Sequence, residues 1–199
     1  MRFVIATKNK HKQLEMKRIL ESINVDCVSD GEEGIDLPEV DETGADFFEN
    51  ARLKAESAVR ATGMPACADD SGLCVDALDG APGLYSARFA GEGASDAEKV
   101  QKLLEVMKDE TERAAHFVSV ICCAFPDGQV LFCEGRCDGE IAYQPDGEGG
   151  FGYDPVFVVE GGSFARLTPQ QKDAVSHRGR ALEKLSVELP LFIKEKYSC

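Results

Sequence analysis

The stretch AHFVSVICCAFPDGQVLFCEGRC, residues 115–137, reads as two long strands, about 115–125 and 129–137, folded back on each other at Pro126-Asp127-Gly128. A proline and a glycine between two strand-like runs are a hairpin signal. Outward from this hairpin the pattern changes. On its N-terminal side, an apolar run at residues 2–6 predicts a buried strand. Met16, Ile19, Leu20 and Ile23 then recur at helical spacing over 12–23, followed by a short strand near 25–28. Phe48, Ala51, Ala55, Ala58, Val59 and Thr62 line one face of a helix over 45–62 that Gly63 and Pro65 stop. Residues 66–68 predict a strand running into a turn at Asp69-Asp70-Ser71-Gly72. Ser95 and Glu98 form a capping box for a helix carrying Val100, Leu103, Leu104 and Met107.

Beyond the hairpin, the glycine-rich run DGEGGFGYDP precedes a strand at 155–159. Thr168, Pro169 and Gln171 open a short helix, and Ser176 is expected to cap a last one whose Ala181, Leu182, Leu185 and Leu189 face the core. Alternating strands and helices suggest an α/β fold, and the hairpin in their midst predicts a long mixed β-sheet flanked by helices. With no repeat or linker, the length suits a single domain over residues 1–199.

The net charge of −14, from 22 basic and 36 acidic residues, argues against nucleic acid as a partner. The charge is uneven, however. Residues 1–12 hold Arg2, Lys8, Lys10 and Lys12 and no acid, while residues 30–50 hold nine acids and no base. Screening over about 8 Å makes such local clusters count for more than the total, so a small anion can still bind. No run approaches the roughly 18–20 apolar residues of a membrane span. The apolar stretch after Arg2 is too short for a signal-peptide core, so a soluble, cytoplasmic protein is expected, with no membrane partner. Of the eight cysteines, Cys122 and Cys123 are adjacent within a strand-like run and no CxxC pair occurs, which favours buried reduced thiols over a metal site or disulfides.

Five stretches carry groups suited to chemistry. ATKNKHK, residues 6–12, joins a strand to a helix whose free amide N–H groups and positive end, amid Lys8, Lys10 and Lys12, suit phosphate; an ordinary solvated turn is the alternative. It is not a Walker loop, because no GK[ST] is present. Asp69-Asp70-Ser71-Gly72 offers carboxylates that suit Mg2+, which takes few protein oxygens and shares the rest with water and phosphates; a turn bonded to its own backbone is the competing reading. Glu42, Glu49, Asn50 and Lys54 form a third group, with Asn50 and Lys54 one helical turn apart, or else a solvated acidic loop. GGFGYDP, residues 149–155, combines glycines with rings that stack on a flat base, or simply a tight loop with core aromatics. Lys172 with Ser176-His177-Arg178 supplies donors for an anion or a base carbonyl, or a surface charge cluster. Together they describe a nucleotide phosphohydrolase.

Five blocks, VIATKNKHKQLE (4–15), ETGADFFENARLKA (42–55), ACADDSGLCVDALDGAPGLYSARF (66–89), GEIAYQPDGEGGFGYDPVF (139–157) and LTPQQKDAVSHRGRAL (167–182), make the sequence resemble the inosine triphosphatase family, the Ham1-like non-canonical purine NTP pyrophosphatases, in its bacterial form. The resemblance implies an inosine-triphosphatase-like fold with two lobes around a central cleft, a homodimer, and Mg2+-dependent hydrolysis of ITP, dITP and XTP to monophosphate and pyrophosphate. It also implies roles. Thr7, Lys8, Asn9, Lys10, His11 and Lys12 would hold the triphosphate beside Lys54. Glu42 and Asp70, with Asp69, would hold the metal, and Asp70 would serve as general base. Ser71 would touch substrate, Phe151, Gly152, Tyr153 and Asp154 would frame base and sugar, and Lys172, His177 and Arg178 would read the base. Arg166 and Lys8 depart from the usual pattern. A Maf-like nucleotide pyrophosphatase and a non-hydrolytic nucleotide sensor are the rival readings. The first lacks its N-terminal serine- and arginine-rich signature here, and the intact Lys12, Glu42 and Asp70 set argues against the second.

Overall fold

The computed structural model describes residues 1–22 and 24–197. Seven strands form one mixed sheet in the order β2-β1-β3-β4-β5-β6-β7. They are β1 (Arg2–Ile5), β2 (Asp26–Ser29), β3 (Ala66–Val75), β4 (Ala114–Ala124), β5 (Val130–Ile141), β6 (Phe157–Val159) and β7 (Gly162–Ser163). β1 runs parallel to both β2 and β3, whereas β6 is antiparallel to β5 and to β7. The helices are α1 (Lys10–Ser22), α2 (Phe47–Thr62), α3 (Asp96–Val106), α4 (Pro169–Val175) and α5 (His177–Tyr197). None of the described helices is long and apolar enough to cross a membrane.

The chain divides into two compact units, to both of which β3, β4 and β5 lend residues. The first comprises Met1–Asp70, Ser119–Gly135 and the chain from His177 onward. Its core joins Phe3 and Ile5 of β1, Met16 and Leu20 of α1, Ile121 and Cys123 of β4, and Leu182, Leu185 and Leu189 of α5. Burying each of these large side chains stabilises the fold by about 1.5–3 kcal/mol. The second unit, Ser71–Val118 and Arg136–Ser176, packs Val100, Leu103 and Met107 of α3 with Phe117, Phe157 and Phe164, whose rings lie 4.7–6.1 Å apart.

Local signals account for most boundaries. Asp46 caps α2 by accepting from the Glu49 N–H, and Gly63, at φ +69°, ends it in the left-handed region. Ser95 with Glu98 and Thr168 with Gln171 close complete capping boxes. The hairpin turns where expected, with Gly128 at φ +86° and its N–H on the Phe125 carbonyl.

Other boundaries differ from the sequence reading. α1 begins at Lys10, so Lys10, His11 and Lys12 form its first turn; Ile23 lies outside the described residues. β5 runs on to Ile141, β6 starts only at Phe157, and β7 was not anticipated. Ser176 ends α4, its N–H on the Lys172 carbonyl, and with extended backbone it also occupies the position directly before α5, where the sequence places it. The largest difference concerns β3. It does not end at Ala68 but continues through Asp69-Asp70-Ser71-Gly72 to Val75, because the buried carboxylates find partners far away in the chain. Seven free cysteines are found among the described residues, all buried except the half-buried Cys74.

Candidate active site

The parallel pairing of β1 with β3 places the first group. Val4 faces Ala66 and Ile5 faces Cys67, and the Ala6 N–H still bonds the Cys67 carbonyl. The chain therefore leaves β1 beside the approach to Asp69. At this carboxyl end it turns into α1, the position where α/β sheets commonly bind ligands. Thr7 Oγ1 accepts from the Asn9 N–H at 3.2 Å, and Asn9 Oδ1 accepts from the N–H groups of His11 and Lys12 at 3.0 and 3.2 Å. Asn9 thus acts as the cap of α1. Buried Gln13, which sequence reasoning missed, braces the loop by donating from Nε2 to the Thr7 carbonyl at 2.6 Å. Lys10 Nζ donates to Gln13 Oε1 and to the Asp30 carbonyl, while Lys8 is exposed.

Lys12 points inward, its Nζ 2.6 Å from Asp69 Oδ2 and its side chain only 16% exposed. Asp69 is fully buried. The Ser119 hydroxyl on β4 donates to its Oδ1, and Arg178 at the start of α5 donates from Nη2 to its Oδ2 at 2.9 Å. Arg178, itself buried, also bonds Glu15 of α1 through Nη1. Burial opposes ionisation of Asp69, but Arg178 and Lys12 reverse this and hold its carboxyl well below the usual range. Lys12 has the poorer share: burial lowers its pKa, and Asp69 restores it only in part against Lys54 and Arg178. Two carboxylates, Asp69 and Glu15, thus interlock with two cations across α1, β3 and α5. The sequence reading grouped Asp69 with the metal ligands; here its oxygens are occupied by a hydroxyl and two cations. Glu15 and Ser119 had no local signal beyond Glu15 closing the block VIATKNKHKQLE.

Asp70, next in β3, meets a different set. Lys54 Nζ of α2 lies 2.7 Å from Asp70 Oδ1 and 3.0 Å from Glu42 Oε1. Burial pushes the Asp70 carboxyl above its ordinary value, and Lys54 and Lys12 only partly offset it. Lys54 shows the converse: burial would lower its pKa, but Asp70 and Glu42 outweigh this and raise it. Two carboxylates therefore face one ammonium, at a place where a further positive charge would lower the electrostatic cost. That donor set fits Mg2+, which needs only one or two protein carboxylates when substrate phosphates and water complete its octahedron. No cluster of three or more His, Cys, Asp or Glu suited to holding a metal occurs among the described residues.

The second unit assembles another set. Lys172 Nζ, on α4, lies 2.6 Å from Asp154 Oδ2 and 4.6 Å from the centre of the Phe151 ring. The same Asp154 oxygen accepts from the Phe151 N–H at 2.8 Å, and a Cβ on Gly150 would run into that carboxylate. The loop is also tied to α3, where Asp96 Oδ2 accepts from the Gly152 N–H at 2.6 Å; Asp96 was another residue the sequence reading passed over. Tyr153 is buried and donates to the Ser86 carbonyl at 2.8 Å. Along one face of α3 and this loop lies a pocket of about 690 Å³, lined by Asp96, Val100, Leu104, Gly150 and Phe151 among others. Of the remaining candidates, Ser71 is half-buried in β3, and His177 is buried at the first position of α5.

So Lys12, Glu42, Lys54, Asp69, Asp70 and Arg178 come together in the first unit, and Phe151, Asp154 and Lys172 in the second. The profile of the Ham1 family matches residues 3–188. The chain is 47% identical over 193 residues to a dITP/XTP pyrophosphatase of Desulfotalea psychrophila, covering 96% of this chain and 86% of that protein. It is 48% identical over 188 residues to the dITP/XTP pyrophosphatase of Escherichia coli K12, covering 92% and 94%. Among solved structures, a HAM1 protein from Coxiella burnetii superposes with a TM-score of 0.86 at 43% identity, covering 96% of this chain and 99% of that one. The Staphylococcus aureus Ham1 protein gives 0.84 at 41% identity, covering 96% and 100%.

Proposed function

The chain belongs to the Ham1 family, and we propose that it is a nucleoside-triphosphate pyrophosphatase that hydrolyses non-canonical purine nucleotides (ITP, dITP and XTP) to the monophosphate and pyrophosphate. The observation that carries this reading is the convergence of Glu42 and Asp70 on Lys54. Glu42 and Asp70 would hold Mg2+, which when bound supplies charge neutralisation for the polyphosphate. The Thr7 hydroxyl, the Asn9 side-chain amide and the positive end of α1 would favour phosphate oxygens, with Lys12 and Lys54 as the adjacent cations. Asp70 orients a water for attack on the α-phosphorus and takes its proton as the α–β bridging P–O bond breaks. A carboxylate whose affinity for protons is raised by burial suits that task. Asp69 acts at one remove, fixing Lys12 and Arg178 and leaving coordination to its neighbours.

For the base, the chemistry of the donors sets the preference. The Lys172 ammonium would donate to a 6-oxo group, whereas the amino group of adenine would face a donor there at a cost of about 1–3 kcal/mol. Asp154 and Phe151 hold the Lys172 ammonium in place. Removal of deaminated purines from the nucleotide pool, in the cytoplasm and as a homodimer, completes the proposal.

Turnover of ITP, XTP, dITP, ATP, UTP and dTTP with Mg2+ in 18O-enriched water tests it. The expected result is pyrophosphate without label, label in the nucleoside monophosphate, and slow turnover of ATP. Orthophosphate as the first product would indicate a phosphatase, binding without products would indicate a sensor, and preference for pyrimidine nucleotides would favour the Maf-like reading.

A further inference from the structure

Glu42 lies in a segment without regular structure, yet its carboxylate meets Lys54 on α2. The segment is fastened to the first turn and a half of α2. The Gly44 N–H donates to Asn50 Oδ1 at 2.8 Å, the Ala45 N–H to Glu49 Oε2 at 2.8 Å, and the Glu49 N–H to Asp46 Oδ1 at 2.8 Å. Among these side chains Asn50 is distinct: it is 2% exposed, while Asp46 and Glu49 are exposed. The contact is close enough to require glycine. A Cβ on Gly44 would stand 2.6 Å from Asn50 Oδ1, 2.7 Å from Glu49 Cβ and 2.8 Å from the Asn50 nitrogen. Asn50 and Lys54 are also one helical turn apart, so a single face of α2 presents both the anchor of the segment and the ammonium that meets its carboxylate.

We propose that Asn50 is a positioning residue for the metal site. Its buried carbonyl oxygen clamps the Gly44 amide and so holds Glu42, two residues earlier, where its carboxylate joins that of Asp70. This rests on the reading of Glu42 as a metal ligand. An exposed loop rich in acids would otherwise spread under its own repulsion, and a metal would have to gather Glu42 from that ensemble on binding. Outer contacts that pre-set a ligand commonly change metal affinity by about 10–100-fold.

The test is Mn2+ binding without nucleotide, followed by electron paramagnetic resonance of the free ion, for wild type, Glu42→Gln, Asn50→Ala and Asn50→Asp. Asn50→Ala is expected to weaken Mn2+ binding about tenfold or more. Asn50→Asp, which keeps an oxygen acceptor for the Gly44 amide, should recover most of that loss, and Glu42→Gln should weaken binding at least as much as Asn50→Ala. Unchanged binding in Glu42→Gln would overturn Glu42 as a ligand. Weakened binding in Glu42→Gln with wild-type binding in Asn50→Ala would overturn the clamp alone. The wild-type protein supplies a check that needs no variant: amide hydrogen exchange at Gly44 should be slow compared with Glu39 and Asp41, and rapid exchange there would overturn the clamp.

Discussion

The Nζ of Lys54 lies 2.7 Å from Oδ1 of Asp70, so a side chain of α2 neutralises a buried carboxylate in the middle of β3. Through the same nitrogen it reaches Glu42 at 3.0 Å, and this ammonium stands between the two carboxylates proposed to take a divalent cation.

Replacing Lys54 by methionine should therefore have two effects. Without metal, Asp70 and Glu42 lose their common partner, and the variant should melt several degrees below wild type. Mg2+ should then raise its melting temperature more than it raises that of wild type, because the ion takes over neutralisation. Calorimetry with and without Mg2+ checks this. The expected cost in kcat/KM is about 100-fold, since a cation beside the phosphates is lost. An equal Mg2+ shift in both proteins would show that Lys54 and the metal do not share the carboxylates.

Asp69 makes a complementary case. Its replacement by alanine leaves Lys12 and Arg178 without their shared anion, and breaking such a buried pair costs about 3–5 kcal/mol. Ser119→Ala removes only the hydroxyl on Oδ1, a hydrogen bond to a charged group, and should cost about 1.5–3 kcal/mol. For the folded Ser119→Ala variant, Mn2+ binding is expected to match wild type while KM for the nucleotide rises, because the displaced group is Lys12. A loss of Mn2+ affinity with unchanged KM would instead place Asp69 on the metal.

Gly135 on β5 lies beneath the start of α5. A Cβ there would overlap the His177 carbonyl oxygen and the Ala181 amide nitrogen and stand 3.1 Å from Ala181 Cα. Backbone cannot yield as a flexible side chain would, so Gly135→Ala should lower stability by about 1–3 kcal/mol. It should also displace Arg178, the next residue after His177, and reduce kcat/KM although Gly135 has no contact with the proposed catalytic groups. Denaturant melts and initial rates check the pair of effects; lost stability with wild-type kinetics would show that α5 shifts without moving Arg178.

What could be read from the sequence divides along a physical line. Caps, stops and turns are local, and Ser95 with Glu98, Thr168 with Gln171, Gly63 and Gly128 all mark their elements within a few residues. The buried thiols were legible for a similar reason, since a free cysteine inside an apolar run packs as a small hydrophobe; burial pushes Cys133 up to about 12 and Cys27 up to about 11, away from the reactive thiolate. The Asp69-Asp70 pair was not legible in the same way. Two charges in a strand interior argue locally for a strand end, and only Lys12, Ser119 and Arg178 around Asp69, with Lys54 against Asp70, up to 109 residues distant, make the buried positions tolerable. Asn50 shows the intermediate case. Its helical phase with Lys54 was evident, but its bond to Gly44 depends on how an irregular loop folds back, which no periodicity encodes.

The central claim, that Asp70 directs hydrolysis at a site built with Glu42 and Lys54, is tested most directly by Asp70→Asn. With dITP and Mg2+, monophosphate formation should fall at least about 1000-fold in single-turnover measurements, while equilibrium dialysis still detects bound nucleotide. Turnover within a few-fold of wild type, with pyrophosphate still released, would contradict the account.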